Sequence, residues 1–261
     1  NPAAIQHYGG VKYSDDDTDA RWLAHLLRLG VLPEGYIYPK AQRPVRDLLR
    51  KRKNLIEQQS ANVLSVQNII ARNLGTRLSA NRIKQLSLAD VETLLPDYDQ
   101  ALAVSSALAV VNCLGQQIKI VEKRVHTQMR TTPLYELLRT VSGIGPILSQ
   151  TILLETGEIK RFSSVGDYAS YCRCVNSTKV SNGKRKGQGN VKNGNPYLSW
   201  AYAEAATFAI RLNPRVQRYY QRKQAKTNVP VARKTVAHKL ARACYHMMRH
   251  QVPFDETKAF G

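Results

Sequence analysis

The amino-acid sequence predicts a mainly α-helical protein, and three patterns carry that expectation. Leu49, Ile56, Val63 and Ile70 recur every seven residues, and Val104, Val111, Ile118 and Val125 do the same further along the chain. Val236, Leu240, Cys244 and Met247 form a third apolar stripe at helical spacing near the C-terminal end.

The elements follow in order. Residues 14–30 read as an acidic start leading into an amphipathic helix that Gly30 ends, with Trp22, Leu23, Leu26 and Leu27 on its apolar face. Pro33, Gly35, Pro39 and Pro44 then interrupt the pattern and mark a boundary. The heptad stripes predict two long helices, roughly 45–74 and 99–129, folded as an antiparallel hairpin or coiled coil. Such a pair serves equally as a spacer or dimerisation arm and as an ordinary bundle core. Between them a further helix is expected to start at Ser87, where Asp90 stands three residues on. From Leu134 onward the chain reads as mostly helical, broken by a Gly/Lys/Asn-rich stretch at 176–196. The expected division is therefore 1–40, 41–133 and 134–261.

Charge narrows the function. The 261 residues carry 39 Lys and Arg against 19 Asp and Glu, a net of +20. Residues 159–261 hold 20 of those cations and four acids, a net of +16, so a polyanion is expected to be gripped mainly there. No run approaches 18 consecutive apolar residues, and a membrane partner is not expected. Cys113, Cys172, Cys174 and Cys244 lack both a disulfide framework and the spacing of a zinc site, which fits reduced thiols in a cytoplasmic protein.

Four constellations could carry chemistry. In VSGIGP (141–146), Gly143 and Gly145 sit between two apolar helical segments, as in a helix-hairpin-helix module whose backbone N–H groups meet a phosphate. The alternative is a plain Gly-Pro helix turn. Asp16 and Asp19 share one face of a helix start and could hold Mg²⁺, although acids there also suit the helix dipole. Lys184, Arg185, Lys186 and Lys192 interleave with Gly183, Gly187, Gly189 and Gly194 in a basic loop suited to a sugar-phosphate backbone. Ser181 stands at the edge of that loop. On the last helix, Arg233, Lys234, Lys239 and Arg242 occupy polar positions, while His238, His246 and His250 read as surface or phosphate-facing residues rather than metal ligands.

Taken in order, KYSDDDTDARWLAHLLRLG, the heptad-rich middle, VSGIGP, SNGKRKGQGNVKNGNPYL and AHKLAR resemble one family across essentially the whole chain. It is the DEDD transposases of the one-ten and eleven-eleven insertion-sequence group, the bridge-RNA-guided DNA recombinases. The resemblance implies a RuvC-like domain with an Asp-Glu-Asp-Asp set for Mg²⁺, of which Asp16 and Asp19 match the last two. The first two acids would precede Asn1, so a fragment is expected, with residues 1–40 the remainder of that domain. It implies a C-terminal transposase domain whose serine nucleophile matches Ser181, with Ser177 the rival serine and Tyr197 the rival nucleophile. Target and donor DNA, a guide RNA and a homo-oligomer joined through the coiled-coil arm are the implied partners, in the bacterial or archaeal cytoplasm. A non-catalytic nucleic-acid-binding protein and a RuvC-like hydrolytic nuclease are the competing classes.

Overall fold

Helix α1 (Asp16–Arg28) starts where the Asp15 carboxylate accepts the Thr18 N–H at 2.8 Å, and it ends before Gly30, which adopts a left-handed φ of 69°. The computed structural model describes residues 15–32, 34–175, 178–181, 184–188 and 193–261. Only Leu26 of the apolar face on α1 is buried; Leu23 and Leu27 remain 38% and 67% exposed.

Two 32-residue helices follow, α2 (Arg43–Leu74) and α5 (Tyr98–Met129). They run antiparallel, because Arg52 meets Glu122 and Gln59 donates to the Val111 carbonyl at 3.0 Å. The seven-residue stripes face each other: Leu49, Val63 and Ile70 on α2 and Val104, Val111, Ile118 and Val125 on α5 are all buried, while Ile56 is half-buried. Gly115 lets the buried Gln59 side chain approach, since a Cβ there would stand 3.1 Å from its Nε2. By length and composition α5 is also apolar enough to cross a bilayer. Two short helices, α3 (Ala80–Ile83) and α4 (Leu88–Leu94), close the far end of the pair through Ile83, Leu86, Val91 and Leu95. Ser87 and Asp90 cap α4 reciprocally, as their spacing predicts.

The remaining helices are α6 (Pro133–Arg139), α7 (Pro146–Thr156), α8 (Val165–Tyr171), α9 (Pro196–Leu212), α10 (Pro214–Gln224), α11 (Val229–His250) and α12 (Glu256–Phe260). They share one core, in which Leu198, Ala201, Ala205 and Ala209 of α9 meet Val236, Leu240, Cys244 and Met247 of α11. Asparagine opens three of them. Asn195, Asn213 and Asn228 each cap a helix with the side-chain oxygen, and proline follows within the first two helical positions. The four cysteines are free thiols, and Cys172, Cys174 and Cys244 lie in this core. A smaller cluster of Leu49, Val125, Met129, Tyr135 and Leu154 joins the base of the long helix pair to it.

Mainly helical is thus what the structure shows, with one departure from the expected loop at 176–196. Strands β1 (Thr178–Ser181) and β2 (Lys184–Gln188) pair antiparallel within it, with an irregularity between Lys179 and Val180. The β-branched Thr178 and Val180 favour an extended backbone, a signal that the density of glycine and lysine obscures.

Candidate nucleic-acid interface

The basic hairpin is held by its root. The segment that carries it leaves the end of α8 and returns to the start of α9, where the Asn195 N–H donates to the Tyr171 carbonyl at 2.6 Å. Gly194 makes that approach possible: its φ is 92°, and a Cβ would stand 2.5 Å from the same oxygen. Arg173 spans the two sides, donating to the carbonyls of Asn193 and Gly194 at 3.1 Å each.

Asn195 ties this root to the rest of the molecule. Its Oδ1 accepts the Tyr197 and Leu198 N–H groups at 2.8 and 3.1 Å, and its Nδ2 donates to the Glu155 carboxylate at 2.8 Å. The Glu155 side chain is 2% exposed and also takes two bonds from Arg50 of α2, at 2.6 and 2.7 Å. Those bonds to the carboxylate raise the Arg50 pKa, keeping the guanidinium charged, and it lies 4.6 Å over the Tyr197 ring. Beside it, burial pushes the Tyr38 hydroxyl up to about 12, against the opposing pull of Arg46. Arg50, Glu155 and Asn195 were not singled out from sequence. The Asn-Pro step before α9 is a capping signal, and Glu155 is the one charged residue of α7. No sequence pattern pairs either of them with Arg50.

Of the expected site residues, Ser181 is the last residue of β1, in register with Lys184, and Arg185 faces Val180 across the ladder. Lys186 lies in β2, and Lys184 is exposed. Lys192, Ser177, Gly183 and Gly189 lie outside the described residues. The hairpin therefore brings Ser181 to a strand end opposite a lysine, on a backbone that cationic residues follow.

Gly143 and Gly145 do different things. Gly143 has a φ of 91°, and a Cβ would collide with the Ala205 carbonyl and stand 2.6 Å from the Ala209 nitrogen, so this glycine seats the turn on α9. Gly145 is exposed, opens α7 without a side-chain cap and has open space around it. Val141 and Ile144 are buried beneath this turn, as expected, and Ile147 is half-buried. A groove of about 520 Å³ runs past the two glycines, Arg139, Phe208 and Leu212.

Asp16 and Asp19 are exposed on the first turn of α1. Their neighbours are engaged: Asp15 caps the helix, a bond to Thr18 that lowers its pKa, and Asp17 pairs with Arg21 at 2.9 Å. Among the described residues no three His, Cys, Asp or Glu side chains gather as a metal group. Asp16 and Asp19 alone supply two carboxylates, which do not close a Mg²⁺ shell.

Residues 135–221, the part of the helical body that carries the basic hairpin and its root, match the family model described as the Transposase IS116/IS110/IS902 family. The chain is also similar to the insertion element IS110 uncharacterized 43.6 kDa protein of Streptomyces coelicolor (strain ATCC BAA-471 / A3(2) / M145). The two are 23% identical over 125 residues, which is 48% of this chain and 31% of that relative. Over these segments the chain is similar to insertion-sequence transposases. The match spans about a third of the relative's length.

Proposed function

We propose that the chain acts in an insertion-sequence DNA transposase, in which Ser181 is the nucleophile of RNA-guided strand cleavage and exchange. The observation that carries this reading is the place of Ser181, at a strand end opposite Lys184 and inside the segment that matches the transposase family. The Ser181 hydroxyl attacks a DNA phosphorus, the bond from phosphorus to the leaving-strand oxygen breaks, and that oxygen takes up a proton. A hydroxyl of the new strand then attacks the phosphoserine link and returns the serine. Lys184, Arg185, Lys186 and Lys192 offset the phosphate charge, and the flanking glycines allow the backbone to close on DNA.

Asp16 and Asp19 are proposed as two of the Mg²⁺ ligands, completed by the acids that the resemblance places before Asn1. The ion, when bound, would neutralise charge on the scissile phosphate. Residues 1–40 are read as the remainder of a RuvC-like domain. The antiparallel α2–α5 pair, with its facing heptad stripes, is read as a coiled-coil arm for a homo-oligomer. The α6–α7 turn is read as a helix-hairpin-helix-like module, with Gly145 rather than Gly143 open to a phosphate.

Incubating the complete transposase with guide RNA, donor and target DNA and Mg²⁺ tests the reading. A recombinant joint and a covalent protein–DNA adduct are expected. Free cleaved ends without an adduct would make it a hydrolytic nuclease, and an undisturbed duplex would make it a non-catalytic binding protein.

A further inference from the structure

Beyond the hairpin, α11 carries a second cationic feature. His238, Arg242, His246 and His250 follow at intervals of four, so they stack along one face of the helix over about 18 Å. They line a cavity of about 1100 Å³, walled on the other side by Tyr219 of α10 and by residues 252–259. Lys239 leans into it, with Nζ donating to the Ala259 carbonyl at 2.7 Å and standing 5.0 Å from the Tyr219 ring. All but Tyr219 of this lining lies outside the segment 135–221 that matches the transposase family.

Cations outnumber acids in the cavity, with Lys239, Arg242 and Lys258 against Asp255 and Glu256. Both acids are engaged: Asp255 accepts the Lys258 N–H at 2.9 Å, capping α12, and Glu256 pairs with Arg215 at 3.3 Å. Arg242 makes no hydrogen bond or ion pair among the described residues. The apolar lining is equally specific. The His246 and His250 rings stack 5.9 Å apart at 11°, and Phe254, Val252 and Pro253 face the same space. Arg242 and Lys239 beside ring faces are what a strand with exposed bases requires, whereas a duplex hides its base faces.

We propose that the His238–Arg242–His246–His250 groove holds single-stranded nucleic acid, its phosphates on Arg242, Lys239 and the histidines and its bases against the ring faces. This rests on reading the chain as nucleic-acid-binding. The histidines make the groove pH-sensitive. Burial, then Arg242 and Lys239, lower the His238 pKa; burial, then His250 and Arg242, lower that of His246. Across the cavity Asp255, Glu256, Lys258 and Tyr219 complete the titratable set. Both histidines are neutral near pH 7 and gain charge as the pH falls, so binding should tighten in that direction.

The test uses the full chain with fluorescein-labelled 15-nucleotide single-stranded DNA, single-stranded RNA of the same sequence, and the DNA duplex. Arg242→Gln alone and Arg242→Gln with His246→Gln and His250→Gln are compared with Lys184→Gln/Arg185→Gln/Lys186→Gln. The groove triple variant is expected to weaken single-strand binding about tenfold or more, from lost stacking and charge. The salt slope is expected to fall by about 0.7 for each phosphate contact removed. Duplex binding stays with the hairpin variants, and wild-type single-strand binding tightens from pH 8 to pH 6. The DNA and RNA arms identify which strand is preferred. Unchanged single-strand affinity and salt slope in the groove variants, or an equal loss on duplex, would overturn the proposal. If neither set of variants changes the binding of any of the three probes, the nucleic-acid reading falls with it.

Discussion

Arg50 and Glu155 lie 105 positions apart, yet they meet in a two-pronged ion pair at 2.6 and 2.7 Å, with one carboxylate oxygen also held by Asn195. One buried acid thus fastens the long helix pair to the base of the basic hairpin.

Removing Arg50 leaves the Glu155 charge buried with one amide partner. Arg50→Ala is expected to destabilise the chain by about 2–4 kcal/mol, below the full cost of an enclosed pair because a third of the Arg50 side chain reaches solvent. Thermal unfolding monitored by circular dichroism checks this. Arg50→Lys should recover only part of the loss, since an ammonium cannot reproduce the fork. A melting temperature unchanged in Arg50→Ala would remove the pair from the list of stabilising contacts.

The two glycines of the α6–α7 turn should separate cleanly. Gly143→Ala combines a left-handed φ with a collision against α9 and is expected to cost more than about 1 kcal/mol. Gly145→Ala, with a φ of −85° and open space, should leave the melting temperature nearly unchanged. Equal melting temperatures for the two variants would contradict the packing described.

Ser181→Ala in the complete transposase is expected to lose both recombination and the covalent protein–DNA adduct while retaining guide and target binding. A hydroxyl is a weak nucleophile that neighbouring charge can support but an alanine cannot replace. Peptide mapping of the trapped adduct decides the position. A DNA-linked peptide carrying Tyr197 or Ser177 would move the nucleophile.

Stability should fall in acid, in two windows. His238 and His246 have folded pKa values below the ordinary 6.5, so the unfolded chain takes up protons first as the pH drops through that value. Their contribution is complete above pH 6.5 and declines below it. Asp15, Asp90, Asp167 and Asp255, whose capping and hydrogen-bond partners lower their pKa, contribute above their ordinary carboxylate range and lose that support below it. A melting curve at steps from pH 8 to pH 3 reads both windows. In His238→Gln/His246→Gln the upper one should flatten.

Periodicity made the long helices legible, because facing apolar stripes are a local property that tertiary packing then uses unchanged. Ser87 with Asp90, and Gly30 after α1, were legible for the same reason, since caps act within one turn. The role of Gly143 was not. Its neighbours in sequence suggested a phosphate, whereas Ala205 and Ala209, more than sixty residues away, determine why no side chain fits there. The Arg50–Glu155–Asn195 union was invisible on the same ground, being made by three separate helices. The exposed Leu23 and Leu27 show the opposite limit: an apolar face in sequence states what could be covered, not what is.

The hydrogen bond between the Tyr171 carbonyl and the Asn195 amide has a consequence for how such a chain can diversify. Everything between Arg173 and Gly194 departs from and returns to one spot, so lengthening or replacing it need not alter the register of α8, α9 or the alanines that pack beneath them. The body serves as a socket, and the basic hairpin is a cassette that selection can exchange while the socket stays the same.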